Sequence, residues 1–382
     1  MARLAAQVVT LHAHVYDAYW VCRRIPFLLQ SWNFGQNRFK IFRLIFHINL
    51  KIYSAILSQN SMISSRKRIR RQTHIEPVRV VFFGTPDFVL PCLRVLVENP
   101  RYAVVGVFTQ PDKPQGRGKA LRSTPVKLSA EQHGIPVFQP EKLQDPRVAA
   151  ILRKLSPDVA VTAAYGKIIP EGILSLPPSG FLNIHPSLLP VWRGPSPLQF
   201  ALWHNTSPTG VTIMKMDVRM DTGPILSQSS HILLPQEDFF SLSRTLFELG
   251  ARDLDRVLPQ YLDQRVIPVP QDDAKATYSR LLTKEDGRVD FSEPATEIER
   301  KIRAFALWPG VFHVRQKDGL RLRLVQARAQ GSQDSGVLSD VSDALVVPCA
   351  RQTQLLIEKI QPAGGKVMSA SEFIRGFGVD II

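Results

Sequence analysis

From residue 78 onward the chain alternates short apolar runs with amphipathic stretches, the texture of strands exchanged with helices. Val78-Arg79-Val80-Val81-Phe82-Phe83 is apolar and β-branched and stops at Gly84-Thr85-Pro86-Asp87. That pattern predicts a buried strand entering a turn, then a helix over 86–98. A second strand is predicted over 102–109, followed by a polar loop containing Gly116-Arg117-Gly118-Lys119 and a helix over 126–133. Val137-Phe138 reads as a short strand, 146–155 as a helix, and 158–164 and 181–185 as two more strands. Later strands are predicted over 209–216 and 225–233, and a long helix over 241–262 closes the segment. Strands alternating with helices in this way predict an open, mostly parallel, Rossmann-like α/β sheet covered by helices, over residues 78–263. The first turn lacks GxGxxG, so no dinucleotide fingerprint is present.

The pattern changes at residue 264. Pro268, Pro270 and a charged stretch make 264–285 read as a linker. Beyond it, 312–316 and 320–325 alternate around Lys317-Asp318-Gly319, a hairpin signal with Asp-Gly at the turn. Gly331, Gly336 and Gly364-Gly365 punctuate further short strands. Residues 286–382 are therefore expected to form a small C-terminal β-barrel, similar to the oligonucleotide-binding type.

Charge modifies this picture less than its size suggests. The 382 residues hold 48 Lys+Arg against 33 Asp+Glu, a formal +15. Such a surplus first points to nucleic acid or an acidic surface. Yet the first 75 residues hold 12 Lys+Arg and one acid, Asp17, so +11 of the +15 lies there and only +4 belongs to the rest. In that leader Lys40, Arg43, His47 and Lys51 recur at three- or four-residue spacing, with apolar residues between them. As a helix this shows a cationic stripe beside a broad apolar face. An acid-poor, Arg-rich amphipathic leader is the pattern of an organelle import peptide. Residues 1–77 are accordingly expected to be a targeting segment, with the mitochondrial matrix as destination and a plastid as the alternative. A solvated basic tail, or a surface-bound membrane anchor over 38–52, is the competing reading, and Met62 is a second candidate start. Three scattered cysteines exclude a disulfide scaffold and offer no zinc spacing. No uncharged apolar run reaches the roughly 18 residues of a membrane span, so no stable membrane insertion is expected.

The chemistry concentrates in Asn183-Ile184-His185-Pro186-Ser187-Leu188-Leu189-Pro190, followed by Trp192-Arg193-Gly194. Residues i and i+2 of a strand face one side, so Asn183 and His185 present an amide and an imidazole together at a strand's carboxyl end. Open α/β sheets place their ligands there. Downstream, Asp221-Thr222-Gly223 sits between two strand-like runs. An acid in such a loop is a turn former or the partner that orients a histidine. Asn183, His185 and Asp221 would together suit acyl transfer to an amine, with an oxyanion donor, a proton shuttle and a carboxylate base.

These residues carry a resemblance. Asn-x-His-Pro-Ser-Leu-Leu-Pro with a downstream Asp-x-Gly resembles the signature of the folate-dependent formyltransferases. Phe83-Gly84-Thr85-Pro86-Asp87-Phe88, Phe108-Thr109-Gln110-Pro111-Asp112, Gly116–Lys119 and Pro136-Val137-Phe138-Gln139-Pro140 are similar to the methionyl-tRNA branch of that family. So are Gly210-Val211-Thr212-Ile213-Met214 and, near the end, 362–370. The match runs over about 78–375 and leaves the leader outside. It implies 10-formyltetrahydrofolate as formyl donor, initiator methionyl-tRNA as acceptor, a monomer, and no metal. By the same resemblance Asn183, His185 and Asp221 are catalytic. Ser187, Leu188, Leu189 and Pro190, with Tyr165 and Gly166 at a neighbouring strand end, are expected to border the folate. Arg117, Lys119 and Arg193 are expected to contact tRNA, the first two as a basic loop that meets phosphates without reading sequence. Arg315, Lys317, Arg321 and Arg323 form a further basic cluster, either a tRNA contact or a salted surface hairpin. The competing functions are formylation of a small amine such as an aminosugar, and a catalytically dead tRNA- or folate-binding module.

Overall fold

The computed structural model describes residues 76–115, 120–331 and 344–381. The leader, Arg117, Lys119 and Gly336 lie outside the described residues. The elements follow the predicted alternation closely. Strand β1 (Val78–Gly84) runs through a short 3-10 turn, Asp87–Val89, into helix α1 (Leu90–Glu98), whose second residue is a proline. Strand β2 (Tyr102–Phe108) leads to a hairpin of β3 (Lys113–Gln115) and β4 (Ala120–Arg122), where the sequence predicts only a polar loop. Next come α2 (Pro125–Gln132), β5 (Val137–Phe138), α3 (Pro146–Leu155) and β6 (Val159–Ala163). The short helix α4 (Glu171–Leu174) precedes β7 (Phe181–His185), and α5 (Pro197–Trp203) precedes β8 (Thr209–Lys215) and β9 (Ile225–His231). The long helix α6 (Phe239–Leu262) starts in a capping box made by Asp238 and Ser241.

The sheet order is β5-β2-β1-β6-β7-β8-β9. Pairings from β5 through β7 are parallel, and β8 and β9 return antiparallel. The chain therefore leaves β1 in one direction for β2 and crosses back to β6 on the other side, which opens a crevice above the carboxyl ends. β1 sorts its side chains by parity. Val80 and Phe82 join the core shared with α1 and α6, while Val81 and Phe83 join the core under α3 and α4. Phe83 centres the second core, stacked on Phe108 at 4.6 Å and edge-on to Tyr165 at 5.3 Å. Helix α6 lies so close to the sheet that a Cβ on Gly250 would sit 2.7 Å from Ile184 Cγ2 and 3.1 Å from Val211 Cγ2.

The C-terminal half holds helix α7 (Ala295–Ala304), β10 (Val311–Val314), β11 (Arg321–Gln330), β12 (Leu345–Cys349), β13 (Thr353–Pro362), β14 (Met368–Ser369) and α8 (Ala370–Phe377). The strands form an antiparallel sheet in the order β10-β11-β13-β12, with β14 added to β13. It curls into a half-barrel, consistent with the oligonucleotide-binding type expected. Residues 76–382 hold together as one unit. Trp203 of α5 meets Phe305, just beyond α7, edge-on at 5.3 Å, and Arg303 donates to the Glu237 carbonyl at 2.7 Å. No described helix is long and apolar enough to cross a membrane.

The stretch read as a linker, 264–285, is not a bare spacer. Val269 exchanges backbone hydrogen bonds with Ile225, and Thr277 and Ser279 bond to the backbone of Pro190 and Arg193. It straps the C-terminal half to the loop that follows β7. Its far end is pinned where Asp286 accepts from Arg280 at 2.8 Å and from the Thr283 amide at 2.6 Å.

Two outcomes follow from this packing. Gly250→Val should force α6 off Ile184 and cost about 1–3 kcal/mol, read as a lower thermal midpoint. The Arg280 hydrogen bond, outweighing burial, holds Asp286 down at about 2, against an ordinary 3.8. A lowered folded value gives stability that is full above the ordinary pKa and is lost as pH falls towards 2. Asp286→Asn should therefore lower the melting temperature at pH 5 more than near pH 2, and an equal loss at both would remove this pair from the acid response.

Candidate active site

Strand β7 carries Asn183 and His185 on one face, and its antiparallel neighbour β8 runs out into the turn that holds Asp221. The structure brings all three side chains together. Asn183 Nδ2 donates to Asp221 Oδ1 at 3.3 Å, and His185 Nδ1 stands 3.7 Å from the same oxygen. The other carboxylate oxygen accepts from the Gly194 amide at 2.8 Å. The His185 side chain is 5% exposed and that of Asp221 14%, so the group is screened from bulk water without being sealed.

The tautomer follows from the partners. His185 Nε2 lies 3.0 Å from the Trp192 carbonyl, which can only accept, so Nε2 carries a hydrogen and Nδ1 is the atom turned towards Asp221. Asn183 uses one amide hydrogen on Asp221, which leaves its second for another acceptor. Asp221 has φ +53, a left-handed conformation that Asp tolerates better than most residues. Gly223 completes the turn by close approach, since a Cβ there would lie 1.8 Å from the Lys215 carbonyl oxygen.

Two residues of Trp192-Arg193-Gly194 thus serve the site through their backbone, which no side-chain reasoning reveals. Trp192 holds φ +57, a costly conformation for a bulky residue. It is fixed on several sides. Its amide donates to Thr277 Oγ1 at 2.9 Å, its indole to Thr206 at 3.0 Å, and its ring stacks on His204 at 5.1 Å.

Arg193 requires a correction. Expected on tRNA, its side chain is 1% exposed and its guanidinium is fully engaged inside the protein. Nε donates to Gln271, one terminal nitrogen to Asp273 at 2.6 Å and the other to Tyr278 at 3.4 Å. Burial works against its charge, but Asp273 and Tyr278 outweigh it and hold the guanidinium above its ordinary value. A buried, fully paired guanidinium cannot meet a phosphate, and here it builds the site instead.

The residues expected along the folate divide. Ser187 and Leu189 are buried, and their loop is pinned by Thr212, whose hydroxyl donates to the Ser187 carbonyl and accepts from the Leu189 amide. Gln228 ties the Leu189 carbonyl. Leu188 and Pro190 keep part of their surface outward. The Tyr165 ring is in the core, and its carbonyl is already taken by Thr85 and Gln110. Gly166, at φ +78, is exposed. Of these residues Leu188 and Pro190 keep side-chain surface open and Gly166 keeps its backbone open. Of the barrel cluster, Arg315 is spent on Asp318 and on the carbonyls of Phe377 and Asp380. Arg321 lies 3.7 Å over Phe312, and Arg323 donates to Ala306. Arg315 thus belongs to the internally bonded hairpin, while Lys317, Arg321 and Arg323 remain on the surface.

The basic loop's stem is held from below. Asp112 accepts from Lys127 at 2.7 Å, Gln139 at 2.7 Å and Ser123 at 3.2 Å. The Lys127 hydrogen bond, with those of Gln139 and Ser123, keeps Asp112 below its ordinary value.

Comparison with known proteins accords with this architecture. The formyl transferase family model matches residues 78–258, and the formyl transferase C-terminal domain model matches 281–378. The methionyl-tRNA formyltransferase of Roseiflexus castenholzii is 45% identical over 303 residues, covering 78% of this chain and 96% of that protein. That of Myxococcus xanthus is 41% identical over 298 residues, covering 78% and 95%. Among solved structures, the N-formyltransferase from Helicobacter canadensis, in complex with folinic acid and dTDP-3-aminofucose, has a TM-score of 0.54 at 14% identity, covering 73% of this chain and 98% of that one. HypX from Aquifex aeolicus, in complex with tetrahydrofolic acid, has a TM-score of 0.53 at 18% identity, covering 78% and 48%. These distant likenesses speak to the fold, whereas the close relatives and both domain matches settle the family. The chain belongs to the methionyl-tRNA formyltransferase family, a family of one-carbon transferases.

Proposed function

We propose that this enzyme transfers the formyl group of 10-formyltetrahydrofolate to the α-amine of methionyl initiator tRNA, acting as a monomer inside an organelle, the mitochondrial matrix before a plastid. The observation that carries the chemistry is the convergence of Asn183, His185 and the Gly194 amide on the single carboxylate of Asp221. The acceptor amine must be neutral to attack, and an α-amine of pKa about 7.7–8.0 is readily neutral near physiological pH. Attack on the formyl carbon leaves negative charge on the formyl oxygen and a proton on the nitrogen. In this reading the free amide hydrogen of Asn183 meets that oxygen. Asp221 takes the nitrogen's proton through water, with His185 Nδ1 beside it. As the oxyanion reforms the carbonyl, the bond from the formyl carbon to the folate N10 breaks, and N10 leaves with a proton passed on by that pair. The Gly194 amide keeps Oδ2 fixed while Oδ1 works.

Leu188, Pro190 and the backbone at Gly166 border the folate in this reading. Arg117 and Lys119 of the basic loop take acceptor-stem phosphates, supported by the anchored stem at Asp112. The organellar assignment is supported by the acid-poor leader alone, with 12 Lys+Arg and one acid in residues 1–75.

Incubation with formyl-labelled donor, charged initiator tRNA and a UDP-aminosugar tests the substrate. Label is expected on methionyl-tRNA, and label on the sugar alone would overturn the acceptor. Asp221→Asn should keep the melting temperature and lower kcat by about 100- to 10,000-fold, the range of a lost acid–base group. Turnover close to wild type would take Asp221 out of the mechanism. Residues 1–75 fused to a fluorescent reporter should give a mitochondrial signal, and diffuse cytosolic fluorescence would refute the organelle.

A further inference from the structure

Gln271 lies in the gap between the two family matches, in a stretch that composition marks only as linker. Its amide is nevertheless fully committed. Nε2 donates to the Asp221 carbonyl at 2.9 Å and to the Gly223 carbonyl at 2.7 Å, while Oε1 accepts from Arg193 Nε at 2.9 Å. Carbonyls only accept and the guanidinium only donates, so the orientation of this amide is dictated by its partners. The two carbonyls flank Thr222 and so define the turn in which Asp221 holds its left-handed φ of +53.

Arg193 fixes Gln271 from the other side, with its side chain 1% exposed and its charge balanced by Asp273. Arg193 is also the residue between Trp192, whose carbonyl holds His185, and Gly194, whose amide holds Asp221. A closed circuit results. It runs from the Asp221 carboxylate to Gly194, through Arg193 to Gln271, and back to the Asp221 main chain. Removing Gln271 frees the turn that carries the carboxylate and leaves the His185 side of the circuit anchored by Thr277.

We infer that Gln271 is a positioning residue for formyl transfer, setting the Asp221 carboxylate against His185 and Asn183 from outside both recognised domains. The inference rests on the role given to Asp221 above. It differs from a purely structural role, in which Gln271 would only attach the strap.

Two variants separate these. Gln271→Glu keeps an acceptor for Arg193 and loses both donors, and Gln271→Met removes donors and acceptor at similar volume. Both are assayed for methionyl-tRNA formylation in the full chain. A misplacement near 1 Å costs roughly 100-fold, so a partly freed turn should lower kcat by about 10- to 100-fold. KM for tRNA and for the donor should stay within about threefold, since substrate contacts are untouched. The pH of half-maximal kcat should move, because the group that handles the proton has shifted. The melting temperature should stay within about 4 °C, the effect of a kcal/mol or two at this chain length. A kcat within about twofold of wild type overturns the inference. So does a kcat loss with an unchanged pH profile, or one accompanied by a melting drop beyond about 8 °C, since either assigns Gln271 to the strap alone. A wild-type protein that leaves methionyl-tRNA unlabelled fails the proposed function instead, and does so before any variant is compared.

Discussion

A buried carboxylate is stable only where donors reach it, and the site is organised around meeting that demand for Asp221. The carboxylate sits on a left-handed turn at φ +53 and accepts from a β7 amide and from a backbone N–H of the loop after β7, with the β7 imidazole standing beside it. Each requirement propagates outward. The backbone N–H is in place because Trp192 accepts φ +57, and Trp192 accepts it because Thr277, Thr206 and the His204 ring hold it there. The imidazole has its tautomer because the Trp192 carbonyl receives Nε2. The geometry of the site is therefore a property of backbone conformation as much as of side-chain identity.

The second level of organisation is the passage from one domain to the other. The connection returns across the site before the half-barrel begins, and its backbone pairs with Ile225, Pro190 and Arg193. Aromatic contacts continue the same joint, through Trp203 against Phe305 and Lys301 at 5.5 Å over Trp203. Of the half-barrel's basic cluster, Arg315 is buried and holds the hairpin and the C-terminus, while Arg321 and Arg323 stay on the surface. The charge total says little about the surface of this body, since +11 of the +15 resides in the first 75 residues.

What was legible in the sequence was whatever obeys short-range periodicity. The strand Phe181–His185 and the helix Pro146–Leu155 occur where the sequence predicts them. Asn183 and His185 could be paired by their i, i+2 spacing, whereas Asp221 stood out only as an acid in a Gly-containing loop and became specific through resemblance, because no spacing rule links a strand to a distant turn. The hairpin β3–β4 was missed because Lys113-Pro114-Gln115 has no apolar face. The helix Pro197–Trp203 was missed because seven residues are too few to show a period. Arg193 misled because a guanidinium in a basic chain reads as surface, while its neutralising partner Asp273 lies 80 residues away. Gln271 gave no signal, since an amide between prolines and aspartates looks like solvated linker.

The strap has a consequence for how the molecule could be divided. Family boundaries leave residues 259–280 unclaimed, as though the chain could be cut there into a catalytic piece and a nucleic-acid piece. The hydrogen bonds say otherwise. A fragment ending at the close of α6 would strip the Arg193 guanidinium of Gln271, Asp273 and Tyr278, the side chains that receive it. The smallest heritable unit of this chemistry is thus larger than either domain. Recombination between relatives would have to exchange the loop after β7 and the connection as a matched pair, because the charge buried by one is answered only by the other.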